Sequence, residues 1–95
     1  MREWLRGLGK EVSKAIDSDI LTVQWSWPVG KPLVDGLGSG LYEIRSTHER
    51  TEYRVFFCTA ASKLALLHGI VKKTRTTPRA DLELARKRLR EVVAR

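Results

Sequence analysis

The stretch YRVFFCTAASKLALLHGIVKKT, residues 53–74, decides how the chain is read. YRVFFCT alternates, sending Tyr53, Val55 and Phe57 to one face and Arg54, Phe56 and Cys58 to the other, as a β-strand does. AASK makes a turn. LALLHGIV is then a second strand, apolar on both faces, as expected of a strand lying under covering structure. Three interruptions stand out: Arg54 among the aromatics, His68 among the leucines, and Lys72 and Lys73 where the apolar run stops. A buried sheet tolerates such groups only when they are paired or used.

Upstream, LYEIRST at residues 41–47 alternates as well, with Leu41, Glu43, Arg45 and Thr47 on one face and Tyr42, Ile44 and Ser46 on the other. HERTE is the polar turn between it and the next strand. Paired as consecutive antiparallel neighbours, the strands bring Arg45 and Arg54 to one face, because Tyr42 and Ile44 join Tyr53, Val55 and Phe57 on the apolar one.

Residues 27–40, WPVGKPLVDGLGSG, hold two of the three prolines and four of the seven glycines, and read as a loop. GLGSG has the look of a phosphate cradle, but a strand follows it and the lysine–serine/threonine ending is missing. Before the loop, Val12, Ile16, Ile20 and Val23 recur at helical spacing, and Trp4, Leu5 and Leu8 form a shorter apolar face broken by Gly7 and Gly9. This is a helical pair. After the sheet, Thr77 and Pro78 suit an N-cap and first helical position, opening a helix over residues 79–95. Its inner stripe is Leu82, Ala85, Leu89 and Val92 or Val93, and Asp81 and Glu83 near its start suit the helix dipole. The fold class is α+β: an N-terminal helical pair, an antiparallel sheet of about three strands and a C-terminal helix, in a single domain over residues 1–95.

Ninety-five residues with 42% hydrophobic content suffice for one modest core. No apolar run is long enough to span a bilayer, and the N-terminus lacks a signal pattern, so a cytoplasmic protein with no membrane partner is expected. One cysteine excludes an internal disulfide. Two histidines far apart offer no zinc spacing, so neither metal nor cofactor is expected. The charge of +7 is uneven: residues 1–71 carry +1 and residues 72–95 carry +6. A basic segment of this kind draws polyanions by releasing their counterions, or forms a solvated helix face; charge alone does not decide.

Arg45, Arg54, His68, Lys72 and Lys73 together would line a concavity suited to phosphate. Each has a plainer reading. Arg45 can pair with Glu43 or Glu52 across strands, His68 can be a hydrogen-bonded core histidine, the lysines can solubilise a strand end, and Cys58 is a small buried hydrophobe. Convergence on one face favours the functional reading.

GLYEIRS, YRVFF and LALLHGIVKKTRTTPRADLELARKRL, in this order between Gly40 and Leu89, resemble the HigB branch of the RelE-like toxins, the phage-derived subgroup. The resemblance implies a RelE-like fold and a ribosome-dependent mRNA endonuclease (an mRNA interferase) that inhibits translation. It also implies a type II toxin–antitoxin system, in which a HigA-like, helix-turn-helix antitoxin neutralises the toxin and alone reaches operator DNA. Chains of that family usually open with a strand before the helical pair; here the helical segment begins at once, so either the true start lies upstream or the domain is shortened and its sheet has an exposed edge. The mechanism expected is metal-free: a 2′-hydroxyl attacks the adjacent phosphate while Arg45 and Arg54 hold it. His68, or Lys72 or Lys73, carries the proton. Lys31, Arg50, Arg75, Arg79, Arg86 and Arg90 are the candidate RNA-backbone contacts. Two other classes stay open: a non-catalytic RNA or ribosome binder of the same fold, and an interaction module whose basic tail docks an acidic antitoxin.

Overall fold

Strand alternation and helical spacing resolve into helices α1 (Arg2–Gly7) and α2 (Lys10–Ser26), strands β1 (Val34–Gly38), β2 (Leu41–His48), β3 (Thr51–Ala60) and β4 (Lys63–Lys72), and helix α3 (Arg79–Val93). The structure, a computed structural model, describes residues 2–94; Met1, and Arg95 at the end of the expected last helix, lie outside them. The strands form one antiparallel meander in the order β1-β2-β3-β4. Each hairpin closes through a two-residue turn with positive φ: Ser39 and Gly40, Glu49 and Arg50, Ala61 and Ser62. Such turns match the right-handed twist of the strands they join. Gly40 is the one glycine among these six residues, and the later two turns, read from HERTE and AASK, carry no glycine to mark them.

The fourth strand arises inside the stretch read as a loop. Val34 is buried opposite Ile44 and Asp35 lies opposite Glu43, after which the register breaks between Gly36 and Gly38. A short, bulged edge strand accommodates glycines that a central strand would not. Helix α3 starts at Arg79 with Pro78 as its N-cap, one residue later than the sequence suggests.

Helices cover both faces of the sheet. On one, Leu5 of α1 and Ile16 and Val23 of α2 pack on Val34, Ile44, Tyr53, Val55 and Phe57. Trp27 meets Tyr42 and Phe57 edge-on. Trp4 presses on Gly69 so closely that an added Cβ would lie 2.5 Å from its ring. On the other face, Ala85, Leu82, Leu89 and Val92 of α3 pack on Leu41, Phe56, Cys58, Leu67 and Ile70, while Val93 is exposed.

Side chains cap groups along both edge strands. Gln24 Oε1 accepts the Leu64 N–H at 3.1 Å, and Arg88 donates to the Leu67 carbonyl at 2.7 Å. On β1, Arg86 donates to the Leu37 and Gly38 carbonyls at 2.9 and 3.4 Å. The expected bare edge is thus partly satisfied from the helices, which blunts its tendency to pair with another strand. Among the described residues, no helix is long and apolar enough to cross a membrane.

Candidate functional site

The charged residues occupy the part of the α3-side face nearest the β2–β3 turn. Register places Arg45 directly opposite Arg54. In the next strand Ile70 lies opposite Arg54, Lys72 opposite Glu52 and His68 opposite Phe56. One face therefore carries Arg45, Arg54, His68 and Lys72. Lys73 falls beyond the strand end and is exposed.

Two arginines directly opposite would repel each other. Carboxylates resolve the conflict. Glu43 Oε2 lies 3.2 Å from Arg45 Nε and 3.8 Å from Arg54 Nε. Asp35 Oδ2 accepts from Arg45 Nη2 at 3.0 Å, and Glu52 Oε1 accepts from Arg54 Nη2 at 2.9 Å. Arg54 Nη1 donates to the Tyr53 carbonyl. The result is a chain of alternating charge: Asp35, Arg45, Glu43, Arg54, Glu52. Hydrogen bonding and the charge of Arg54 hold the Glu52 carboxyl below its usual range, with Lys72 and Arg45 adding to the effect.

Burial separates the two arginines. The Arg54 side chain is 5% exposed and that of Arg45 36%. Arg45 overlooks a depression of about 370 Å³ lined by Pro32, Leu33, Arg45, Thr47, Glu52 and Arg54. Glu43 Oε1 and Arg54 Nε are buried without a hydrogen-bond partner, so the network is not saturated at its centre.

His68 stacks over Phe56, its ring plane 12° from parallel, and its Nε2 lies 2.7 Å from Asp81 Oδ1 in the first turn of α3. It sits beneath α3, one row of the sheet away from Arg54. Cys58 is buried, and burial raises its thiol pKa, which keeps it unreactive.

The other sequence-selected cations are scattered. Lys31 lies 3.7 Å from Asp35, and Arg79 donates to Glu83 on the exposed surface of α3. Arg50 is exposed in the β2–β3 turn, Arg75 in the segment before α3, and Arg90 on α3. Arg86 is committed to the β1 carbonyls. Sequence reasoning passed over Asp35 and gave Asp81 only a helix-dipole role. Asp35 was hidden in a stretch read as a loop, and Asp81 stands 13 residues from His68 on another element, where no local pattern links them.

Among protein families, the model of the phage derived protein Gp49-like family (DUF891) matches residues 3–90. No curated protein and no solved structure matches the chain.

Proposed function

The chain belongs to the phage-derived Gp49-like family, a RelE/ParE-like toxin family, and from that membership we propose that it is the toxin of a type II toxin–antitoxin system, an endoribonuclease of the HigB branch acting on ribosome-bound mRNA in the cytoplasm. The observation that carries the reading is the cross-strand pair Arg45 and Arg54, with Arg45 open to a depression on the sheet face.

In the proposed reaction the 2′-hydroxyl attacks its neighbouring phosphorus, a base takes the hydroxyl proton, and the bond to the 5′-oxygen breaks as that oxygen is protonated. A 2′,3′-cyclic phosphate and a 5′-hydroxyl result. Arg45 contacts the phosphate and stabilises its developing charge. Arg54 is too buried for that role; it acts as a positioning residue, aligning Arg45 through Glu43. No arginine serves as the base at neutral pH. His68 suits proton transfer: with Nε2–H donated to Asp81, Nδ1 keeps its lone pair. Lys72 or Lys73 is the alternative carrier. The ribosome supplies the alignment that a shallow site cannot impose.

One observation favours a second reading, a non-catalytic RNA or antitoxin-binding module: three carboxylates already neutralise the paired arginines. Primer extension on cellular mRNA after brief induction separates the two. The endonuclease produces new 5′ ends that fall by ~10²–10³-fold in Arg45→Ala, the range for one transition-state charge contact, while ribosome association persists. Growth arrest without new ends supports the binder, and cleavage unchanged in Arg45→Ala removes the assigned site.

A further inference from the structure

On the opposite side of the sheet from the arginines, three metal-ligating side chains meet where α2 begins and the β2–β3 turn folds back. Ligand atoms of Glu11, His48 and Glu49 all lie within 4.8 Å of one another. His48 has the same strand parity as Ser46, whose hydroxyl donates to Asp19 of α2, so both sit on the helix-covered face. Glu11 and His48 stand 37 positions apart, and no sequence spacing announces them.

Convergence, rather than the lack of a basic partner, sets the cluster apart. The protein carries 18 Lys and Arg against 11 Asp and Glu, and Asp35, Glu43, Glu52 and Glu83 are all ion-paired to basic side chains. Among the described residues, neither Glu11 nor Glu49 has such a partner, yet the two carboxylates converge on each other and on an imidazole. Two like charges and a lone-pair donor directed together form an arrangement that a cation stabilises. The turn aids it. Glu49 follows half-buried His48 directly, so the turn brings two of the three ligands together.

We propose that Glu11, His48 and Glu49 bind a divalent first-row metal ion of the zinc class, which staples the start of α2 to the β2–β3 turn. Imidazole with two carboxylates suits zinc better than magnesium or calcium, which prefer all-oxygen sets. Ligands about 2.0–2.2 Å from zinc stand roughly 3–3.5 Å apart. Exposed Glu11 and Glu49 can close that gap by changing rotamer, with His48 as the fixed member. Three protein ligands leave room for water in the remaining position. The ion would be structural, on the face away from Arg45, and the site is independent of whether the chain cleaves RNA.

The test uses the full-length chain without a histidine tag, freed of metal by chelator and titrated with zinc chloride by calorimetry, with cobalt(II) absorption reporting the ligand set. One-to-one binding in the micromolar range or tighter is expected, with a zinc-dependent rise in melting temperature. Glu11→Gln and His48→Ala should each weaken binding by about tenfold or more, since each removes one of three ligands, whereas His68→Ala should leave it unchanged. Circular dichroism confirms that each variant is folded. Absence of binding below roughly 100 µM zinc, far weaker than the affinities of structural sites, overturns the proposal. So does affinity unaltered in the folded Glu11→Gln/His48→Ala variant, or calcium or magnesium binding more tightly than zinc.

Discussion

Alternate residues of the same strands build the two faces of the sheet, but the faces are held together differently. Under α1 and α2, Ile44, Val55 and Phe57 are fully buried beside Trp27 and Tyr42, and polar bridges from α2 are few: Ser46 donates to Asp19 at 2.6 Å and the Leu64 N–H to Gln24 at 3.1 Å. Under α3 the face divides. Helix α3 lies over the half toward the β1–β2 and β3–β4 turns, where it meets Leu41, Cys58 and Leu67 and reaches the β1 carbonyls through Arg86. The other half carries Asp35, Arg45, Glu43, Arg54 and Glu52. Where the face packs on the apolar stripe of α3 its alternating residues are hydrophobic; on the charged half, charge persists because each arginine meets a carboxylate. A pair of arginines on a sheet is thus as much a structural ion network as a phosphate clamp, and exposure distinguishes Arg45 from Arg54.

Substitutions on the two faces test this contrast. The largest loss should come from the apolar face: Phe57→Ala, at a fully buried ring in contact with Trp27 and Tyr42, should cost about 3–5 kcal/mol in urea unfolding. If it costs no more than Arg45→Ala, the two faces do not differ as described.

Arg54→Ala should follow, at about 3 kcal/mol, because it leaves Glu43 buried beside a lost partner. Arg45→Ala, at a more exposed pair, should stay within about 1 kcal/mol. A double-mutant cycle of Arg54→Ala with Glu43→Gln should recover part of the loss; strict additivity would mean the two side chains do not interact.

Gly69→Ala should cost about 1–3 kcal/mol, since its Cβ would overlap the Trp4 ring. A neutral outcome in thermal melts would show that α1 yields easily and contributes little to the apolar face.

The smallest effect is a titration. Glu52 has its folded pKa depressed below the ordinary carboxylate value of 4.5, so its stabilising contribution is present above that value and is lost as the pH falls through the lowered one. Carboxyl chemical shifts should place its midpoint below 4.5 in the native chain and return it upward in Arg54→Ala. An unmoved midpoint would deny that Arg54 governs this carboxylate.

The alternation of residues 41–47 and 53–59 was enough to place Arg45 and Arg54 on one face, and the helical spacing of Val12, Ile16, Ile20 and Val23 was enough to draw α2. These signals repeat every two or three to four residues, because backbone geometry imposes them locally. β1 escaped notice because an edge strand needs only one pairing partner and can carry glycines that mimic a loop. The chain by itself therefore determined the α+β class, the main strands and helices, and the shared face of the two arginines.

The sequence offered the Arg45–Glu43 pair, but tertiary structure alone decided what His68, Arg86 and Glu11 meet. Asp81 reaches His68 only because α3 docks over β4; Arg86 is turned to the β1 carbonyls by that same docking; and Glu11 meets His48 because α2 lies along β2. These partners are separated by 13 to 49 positions in the chain. Their meeting depends on strand register and on where each helix settles, properties of the packed whole that no window of neighbouring residues contains.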